Sequence, residues 1–215
     1  AGHFQWKSSK MHANGTESPR VLLDSEQGRV RLWEEAFNPV EAEAHLQGLL
    51  DGIEWQTESI AMFGKIHEVP RRVAWHGDAD SLYTYAGVTH QPEPWGAQLL
   101  SIKERLRHFL PSSEFNSVLL NLYRSGNDRM GWHRDNEREL GPRPVIASVS
   151  FGVPRRFDMR HVQSREKIQC VLPSGSLLVM DGAFQEHWQH QLPASKRIIQ
   201  PRVNLTFRTV NHKMS

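Results

Sequence analysis

The chain has 215 residues, a length that fits one domain and can close a substantial hydrophobic core. Its 26 Lys and Arg residues nearly balance its 24 Asp and Glu residues, and the formal net charge of +2 does not by itself indicate a nucleic-acid partner. One cysteine, Cys170, excludes an internal disulfide framework, and no apolar run is long enough to span a membrane. These features predict a reducing, intracellular compartment, cytoplasmic or, in a eukaryote, nuclear, and we expect the protein to be a monomer.

Two helices are predicted in the first half of the chain. Asn38 as N-cap, Pro39 in the first turn and Glu41 at the capping-box position predict a helix that ends near Leu50. A second helix is predicted between Pro94 and Pro111. Its apolar stripe consists of Leu99, Ile102, Leu106 and Leu110.

Short β-rich runs separated by turn residues replace the helical periodicity after residue 115. The predicted strands cover residues 117–123, 144–151, 156–160, 168–172, 176–180 and 202–210. Helices followed by many short strands are typical of an α+β domain in which helices cover one face of a β-sandwich.

The last predicted strand has an apolar face and a polar face. Val203, Leu205 and Phe207 alternate with a second set that consists of Arg202, Asn204, Thr206 and Arg208. Because the guanidinium fork matches a carboxylate in a bidentate way, two arginines on one face suit a dicarboxylate ligand. The alternative is an ordinary edge strand with a solvated basic face.

His133 and Asp135 form a candidate metal-binding pair. On an extended chain, side chains at i and i+2 leave the same face, so these two could bind one ion. A third ligand from a distant strand would complete the two-histidine, one-carboxylate set that leaves positions on Fe(II) open. His187 and His190 are both candidates, but in an extended strand they would face opposite ways, so only one could join. A solvated loop is the alternative interpretation of the His-x-Asp tripeptide.

Five phrases between residues 60 and 210 resemble, in order, the AlkB family of Fe(II)/2-oxoglutarate-dependent nucleic-acid dealkylases. They are Leu120-Asn-Leu-Tyr-Arg-Ser-Gly126, His133-Arg-Asp135, Ile146-Ala-Ser-Val-Ser-Phe-Gly152, Gly175-Ser-Leu-Leu-Val-Met180 and Arg202-Val-Asn-Leu-Thr-Phe-Arg208. Phe63-Gly-Lys65 and Tyr83-Thr-Tyr-Ala-Gly87 look closest to the branch that repairs DNA. The resemblance implies a double-stranded β-helix, or jelly roll, with N-terminal helices buttressing one sheet.

We interpret residues 21–215 as one catalytic domain, preceded by a disordered arm or vector-derived leader over residues 1–20. Within the domain, residues 35–115 are expected to form helices and a nucleotide-recognition lid. Residues 116–210 are expected to form the jelly-roll core.

The resemblance implies Fe(II), 2-oxoglutarate and O2 as cofactors. His190 is chosen as the third metal ligand because Gln191-Leu192-Pro193 matches the family's placement, and His187 is then expected near the rim. Asn121 and Tyr123 are expected to hydrogen-bond 2-oxoglutarate. Arg202 is expected to pair with its distal carboxylate and Arg208 to lie near its metal-chelating end, with Asn204 between them.

The implied activity is oxidative demethylation of bases such as 1-methyladenine and 3-methylcytosine in DNA, with release of formaldehyde, succinate and CO2. Taking a base out of the stack costs a few kcal/mol. Tyr85 is expected to stack on the flipped base, Tyr83 to contact it, and Phe63 to fill the hole that the base leaves. Asn136 and Glu137 follow the metal carboxylate; the family often has two acids there, so Asn136 is a departure.

Several alternatives stay open from the sequence. The same chemistry could act on RNA, on protein or on a small molecule, and the fold could serve as a non-catalytic nucleic-acid-binding module or a metal-assisted hydrolase. Basic residues are expected to contact phosphates, notably Arg71 and those between Arg155 and Lys167.

Overall fold

The computed structural model describes residues 18–62, 65–81, 83–85 and 88–211, and at 60–62, 65–66, 83–85 and 88–90 it describes the backbone alone. The helices in these ranges are α1 (Pro39–Gly52), α2 (Ala97–Phe109) and the single turn α3 (Phe184–His187). The strands are β1 (Arg20–Ser25), β2 (Gly28–Trp33), β3 (Gln56–Met62), β4 (Lys65–Gly77), β5 (Tyr83–Tyr85), β6 (Val88–His90), β7 (Ser117–Tyr123), β8 (Met130–His133), β9 (Ile146–Gly152), β10 (Arg155–His161), β11 (Lys167–Leu172), β12 (Ser176–Asp181), β13 (Trp188–Leu192) and β14 (Arg202–Arg208).

Two antiparallel sheets face each other and form the sandwich. The larger sheet has eight strands in the order β1-β2-β12-β9-β14-β7-β4-β3, and the smaller has four in the order β11-β10-β13-β8. One hydrophobic core lies between the larger sheet and helices α1 and α2, and a second lies between the two sheets. The predicted α+β class, with a jelly roll buttressed by helices, is confirmed.

Local signals explain where the two long helices begin. The Asn38 side-chain oxygen accepts hydrogen bonds from the amides of Val40 and Glu41, both at 3.0 Å, and the Glu41 carboxylate accepts from the Asn38 amide at 2.9 Å. Helix α2 begins at Ala97, later than the predicted start, because Trp95 is held outside it. The Trp95 indole donates to the Asp78 carboxylate at 2.7 Å.

The larger sheet reaches further toward the N-terminus than the sequence indicates. Strands β1 to β4, all before residue 78, belong to it, whereas residues 35–115 were expected to form helices and a lid. Strand β4 pairs with β7 from Arg72 opposite Leu122 to Gly77 opposite Ser117. This pairing brings the first half of the chain against the strand that carries Asn121 and Tyr123.

Strand β14 is a central strand, so the interpretation of it as an edge strand with a solvated face is wrong. It pairs with β7 on one side and with β9 on the other, and each of its seven residues is buried. Its polar side chains therefore point into the sandwich. Within the described part of the chain, no helix has the length and apolar character needed to cross a membrane.

Candidate active site

His133, Asp135 and His190 converge at one place between the two sheets. Each offers a ligand atom, and these atoms all lie within 4.8 Å of one another. His190 on β13 is the direct cross-strand partner of His133 on β8, and the two ring centroids are 4.2 Å apart. The distance between His190 Nε2 and Asp135 Oδ2 is 3.7 Å. Three ligand atoms at this spacing could hold one metal ion.

Hydrogen bonds orient the side chains of His133 and Asp135 and hold the Asp135 backbone. His133 Nδ1 lies 2.8 Å from the Gly131 carbonyl oxygen, so Nδ1 carries the proton and donates, which leaves Nε2 with the lone pair that a metal needs. The Asp135 amide donates to the Gln185 side-chain oxygen at 2.9 Å. Arg208 Nη2 donates to Asp135 Oδ1 at 2.7 Å.

Burial and neighbouring charges hold Asp135 and His190 in the protonation states that metal ligands need. Burial on its own would raise the pKa of the Asp135 carboxyl, but Arg208, His190 and His133 together outweigh burial and hold that pKa below its usual value. Burial, reinforced by His133, lowers the pKa of His190 to about 3. At neutral pH the site therefore offers a carboxylate and a neutral imidazole.

A cavity lined by these residues continues to a second cationic group, Arg202. Its side chain is buried, and burial lowers its pKa only to about 10, so the guanidinium stays charged at neutral pH. Its Nη2 donates to Ser150 Oγ at 2.8 Å, while its buried Nε has no hydrogen-bond partner among the described residues. A buried cation with an unused donor and no carboxylate within ion-pair distance in the described part of the chain fits an anionic ligand.

The predicted 2-oxoglutarate ligands Asn121, Tyr123 and Asn204 also line this cavity. The centre of the Tyr123 ring lies 5.4 Å from the guanidinium group of Arg202 and 5.8 Å from that of Arg155. Both ends of the Asn204 amide are already engaged: its nitrogen donates to Ser148 Oγ and to the Val149 carbonyl, and its oxygen accepts from Thr206. The hydrogen bonds of Asn204 therefore join β9 and β14 in the cavity wall. A contact between Asn204 and a ligand stays a prediction.

Sequence reasoning missed three hydroxyl residues of the cavity wall and its immediate support, Ser148, Ser150 and Thr206. Ser148 pairs with Thr206, and Ser150 with Asn204, across β9 and β14. The alternation of serines with apolar residues in Ile146–Gly152 was a usable signal, because strand period two places both serines on one face. Gln185, whose side-chain oxygen accepts a hydrogen bond from the Asp135 amide, stands in no alternating pattern that would have indicated its role.

Other predicted site residues lie outside the cavity or outside the described residues. Phe63 is not described, and Tyr83 and Tyr85 are described by their backbone alone, in the hairpin of β5 and β6, so the roles assigned to them stay predictions. Asn136 is exposed and Glu137 half-buried, and neither lines the cavity.

His187 ends the helical turn α3, so the argument from strand parity does not apply to it. Its ring stacks on His161 at 6.0 Å, and it is not one of the three grouped ligand candidates.

Two of the basic residues expected to contact phosphate are buried instead, and for these the prediction is wrong. Arg155 is 1% exposed and donates to the carbonyl oxygens of Ser125, Asp128 and Pro193, at distances of 2.8–3.2 Å. Arg71 is 5% exposed and donates from Nε to Asn121 Oδ1 at 2.8 Å. Burial of both cations depends on partners far away in sequence, which composition cannot show.

Comparison with known proteins identifies the site. The profile of the 2OG-Fe(II) oxygenase superfamily matches residues 29–208, a range that contains the three grouped side chains and the whole cavity. The chain is 43% identical over 185 residues to the mouse DNA oxidative demethylase ALKBH2, an alignment that covers 81% of this chain and 77% of the relative. It is 38% identical over 192 residues to the human alpha-ketoglutarate-dependent dioxygenase alkB homolog 3, covering 85% of this chain and 66% of that relative.

The chain belongs to the AlkB family. The solved structure of OsALKBH1 has the same fold, with a TM-score of 0.58 over 88% of this chain and all of that one, at 15% sequence identity. As an AlkB-family dioxygenase, the protein uses Fe(II), 2-oxoglutarate and O2. The grouped His133, Asp135 and His190 and the unpaired Arg202 are the side chains that fit the metal and a carboxylate of the co-substrate.

We expect His190→Ala to abolish Fe(II) binding, because it removes a buried ligand atom from the group of three. His187→Ala, its matched control three residues away, should bind Fe(II) like the unaltered protein. Anaerobic isothermal titration with Fe(II) measures both. Loss of binding in His187→Ala with retention in His190→Ala would overturn the ligand assignment.

We expect Arg155→Met to lower the free energy of unfolding by about 2–4 kcal/mol, since three carbonyl oxygens lose their donor at about 1 kcal/mol each. An exposed lysine of the same sheet provides the control, and Lys167→Met should change stability by less than about 0.5 kcal/mol. Urea unfolding compares the two variants. Equal midpoints would show that Arg155 does not hold these loops together.

Proposed function

We propose that the protein is a DNA oxidative demethylase that removes N-methyl groups from bases such as 1-methyladenine and 3-methylcytosine. The reaction would consume 2-oxoglutarate and O2 and release formaldehyde, succinate and CO2. The observation that carries the proposal is the 43% identity to a DNA oxidative demethylase, together with an intact, buried group of His133, Asp135 and His190.

The described residues of the cavity support separate roles in binding the metal and the co-substrate. His133, Asp135 and His190 would hold Fe(II), and Arg208 keeps the Asp135 carboxylate charged and oriented. Arg202 would neutralise the distal carboxylate of 2-oxoglutarate at the other end. When bound, the iron and co-substrate supply the oxidising chemistry, and the protein side chains position the reactants and exclude water.

The order of burial among the metal ligands suggests where the nucleic acid approaches. His133 is partly exposed, whereas Asp135 and His190 are each 3% exposed, so the cavity opens on the His133 side. A base taken out of the helical stack would enter there. Tyr85, Tyr83 and Phe63 remain the proposed contacts to that base and to the gap it leaves.

The outer face of the smaller sheet carries several cations. The Arg160 guanidinium lies 4.2 Å from the centre of the Trp132 ring, and Trp132 directly precedes His133. Arg165 and Lys167, in and after the turn that follows β10, are exposed. Cations on this face could contact phosphates and so position a strand without reading its sequence.

Three narrower points belong to the same proposal. RNA that carries the same lesions would be a second substrate, since the chemistry acts on the base. The enzyme would act as a monomer, because His133, Asp135 and His190 all come from one chain. It would act inside the cell, and the buried Cys170, whose thiol pKa burial raises to about 11, suits a reducing compartment as an inert core residue.

Demethylation of a defined oligonucleotide tests the proposal. Incubation with Fe(II), 2-oxoglutarate and single- or double-stranded DNA that carries one 1-methyladenine should restore adenine and yield succinate and formaldehyde in equal amounts. The same oligonucleotide without the methyl group, and the variant Asp135→Ala, should give no product above background. Mass spectrometry of the oligonucleotide and an assay for succinate follow both products.

Two results would contradict the proposal in different ways. Succinate formation that does not depend on the methylated base would indicate a different substrate for the same chemistry. Tight binding of the oligonucleotide with neither product would indicate a nucleic-acid-binding module without turnover.

A further inference from the structure

Arg71 is a buried cation with two polar partners: its Nη2 lies 3.9 Å from Glu58 Oε2, and its Nε donates to Asn121 Oδ1 at 2.8 Å. It lies on β4, one residue before the Arg72–Leu122 pair, and therefore beside Tyr123 on the face that β7 turns toward the cavity. Arg71 itself does not line the cavity. Its side chain contacts Asn121, and Asn121 does line the cavity.

The hydrogen bond between these two residues fixes which way the Asn121 amide points. Arginine has only donors, so the Asn121 atom that lies 2.8 Å from Arg71 Nε must be the carbonyl oxygen Oδ1. The Asn121 NH2 group must then point to the opposite side. Among the described residues that NH2 group has no hydrogen-bond acceptor, although Asn121 is only 3% exposed.

The second asparagine of the cavity wall shows the contrast. Asn204 donates to Ser148 and to the Val149 carbonyl and accepts from Thr206, so the protein saturates its amide. Asn121 keeps both amide hydrogens for a ligand. An NH2 group held toward a cavity that also contains Arg202 matches a carboxylate or keto oxygen.

We propose that Arg71 is a positioning residue for the co-substrate: it holds the Asn121 amide so that its NH2 group donates to 2-oxoglutarate. The inference rests on the proposed co-substrate role of Asn121. Without Arg71, the amide can rotate by half a turn and present its oxygen to an anionic ligand, which repels it. Arg71 therefore acts through Asn121, and its loss should weaken co-substrate binding without touching the metal ligands.

The test measures the affinity for 2-oxoglutarate in the Mn(II)-loaded protein, without nucleic acid and without turnover. By isothermal titration, Arg71→Met and Asn121→Ala should each raise the dissociation constant about tenfold, the effect of losing one hydrogen bond to a charged group. The double variant should bind no more weakly than Asn121→Ala alone, because Arg71 has no amide left to orient. The matched control, Arg72→Met, alters the adjacent, half-buried arginine that points to the other face and should bind like the unaltered protein.

The titration also separates folding from affinity. Misfolded protein lowers the binding stoichiometry, whereas a rotated amide raises the dissociation constant at full stoichiometry. Should Arg71→Met yield no folded protein, Arg71→Thr takes its place in the same cycle, because its hydroxyl lies two bonds short of the position of Arg71 Nε and cannot donate to Asn121.

Three results would overturn the inference. In the first, Arg71→Met binds 2-oxoglutarate as tightly as the unaltered protein. In the second, the dissociation constant of the double variant rises by the product of the two single increases. In the third, 2-oxoglutarate binding is unchanged and only the KM for a methylated oligonucleotide rises, which would place Arg71 against the nucleic acid. If instead the unaltered protein demethylates no oligonucleotide, the proposed function fails while the titration still decides the role of Arg71.

Discussion

The ion pair between Asp135 and Arg208 joins the two sheets of the sandwich at the point where the metal would bind. Arg208 ends β14 in the larger sheet, and Asp135 follows β8 in the smaller one. Both side chains are 4% exposed, and their atoms meet at 2.7 Å. Removing one partner of such a pair typically costs about 3–5 kcal/mol, because the other charge is left buried and unpaired. The pair therefore links the two sheets and keeps the Asp135 carboxylate charged at the metal site.

The metal site is polar although it lies between the two sheets. The neighbouring strands provide hydrogen bonds to part of its polar groups. Strand period two sends Val203, Leu205 and Phe207 into the helix-covered core and the polar residues between them into the cavity. Serines and threonines of β9 and β14 satisfy part of the polar groups. Among the described residues, Arg202 Nε and the Asn121 NH2 group have no hydrogen-bond acceptor, and a dianionic co-substrate could satisfy both.

The sequence predicted well those features that depend on local spacing. His133 and Asp135 are two residues apart, and the alternation in β14 is visible in one strand, so the metal pair and the cavity face of that strand were accessible from the chain alone. The capping box at Asn38 is equally local, and it is present. The choice of His190 needed the family resemblance, because the argument from strand parity assumed that His187 also lies in the strand, whereas it ends a helical turn.

Features that depend on pairing across the chain were not predicted. Arg71 and Arg155 look like surface cations in the sequence, and only the packing of β4 on β7 and of the Ser125–Asp128 loop on Pro193 shows that they are buried. Strands β1 to β4 were not predicted, although Arg29, Val30, Arg31 and Leu32 alternate in β2, and their place in the larger sheet follows from long-range pairing. The physical reason is the same in each case: a charged residue is buried or exposed according to partners that the local sequence does not contain.

The central claim is that His133, Asp135 and His190 hold one ferrous ion beside a cavity that anchors 2-oxoglutarate. Anaerobic titration of the protein with Fe(II) and then 2-oxoglutarate, followed by visible absorption, tests it most directly, because an Fe(II) ion chelated by a 2-oxo acid gives a charge-transfer band. The account predicts a band that saturates at one equivalent of each per chain and disappears in Arg208→Met, where the buried carboxylate loses the cation that orients it. An absent band in the unaltered protein, or one that Arg208→Met leaves unchanged, would contradict it.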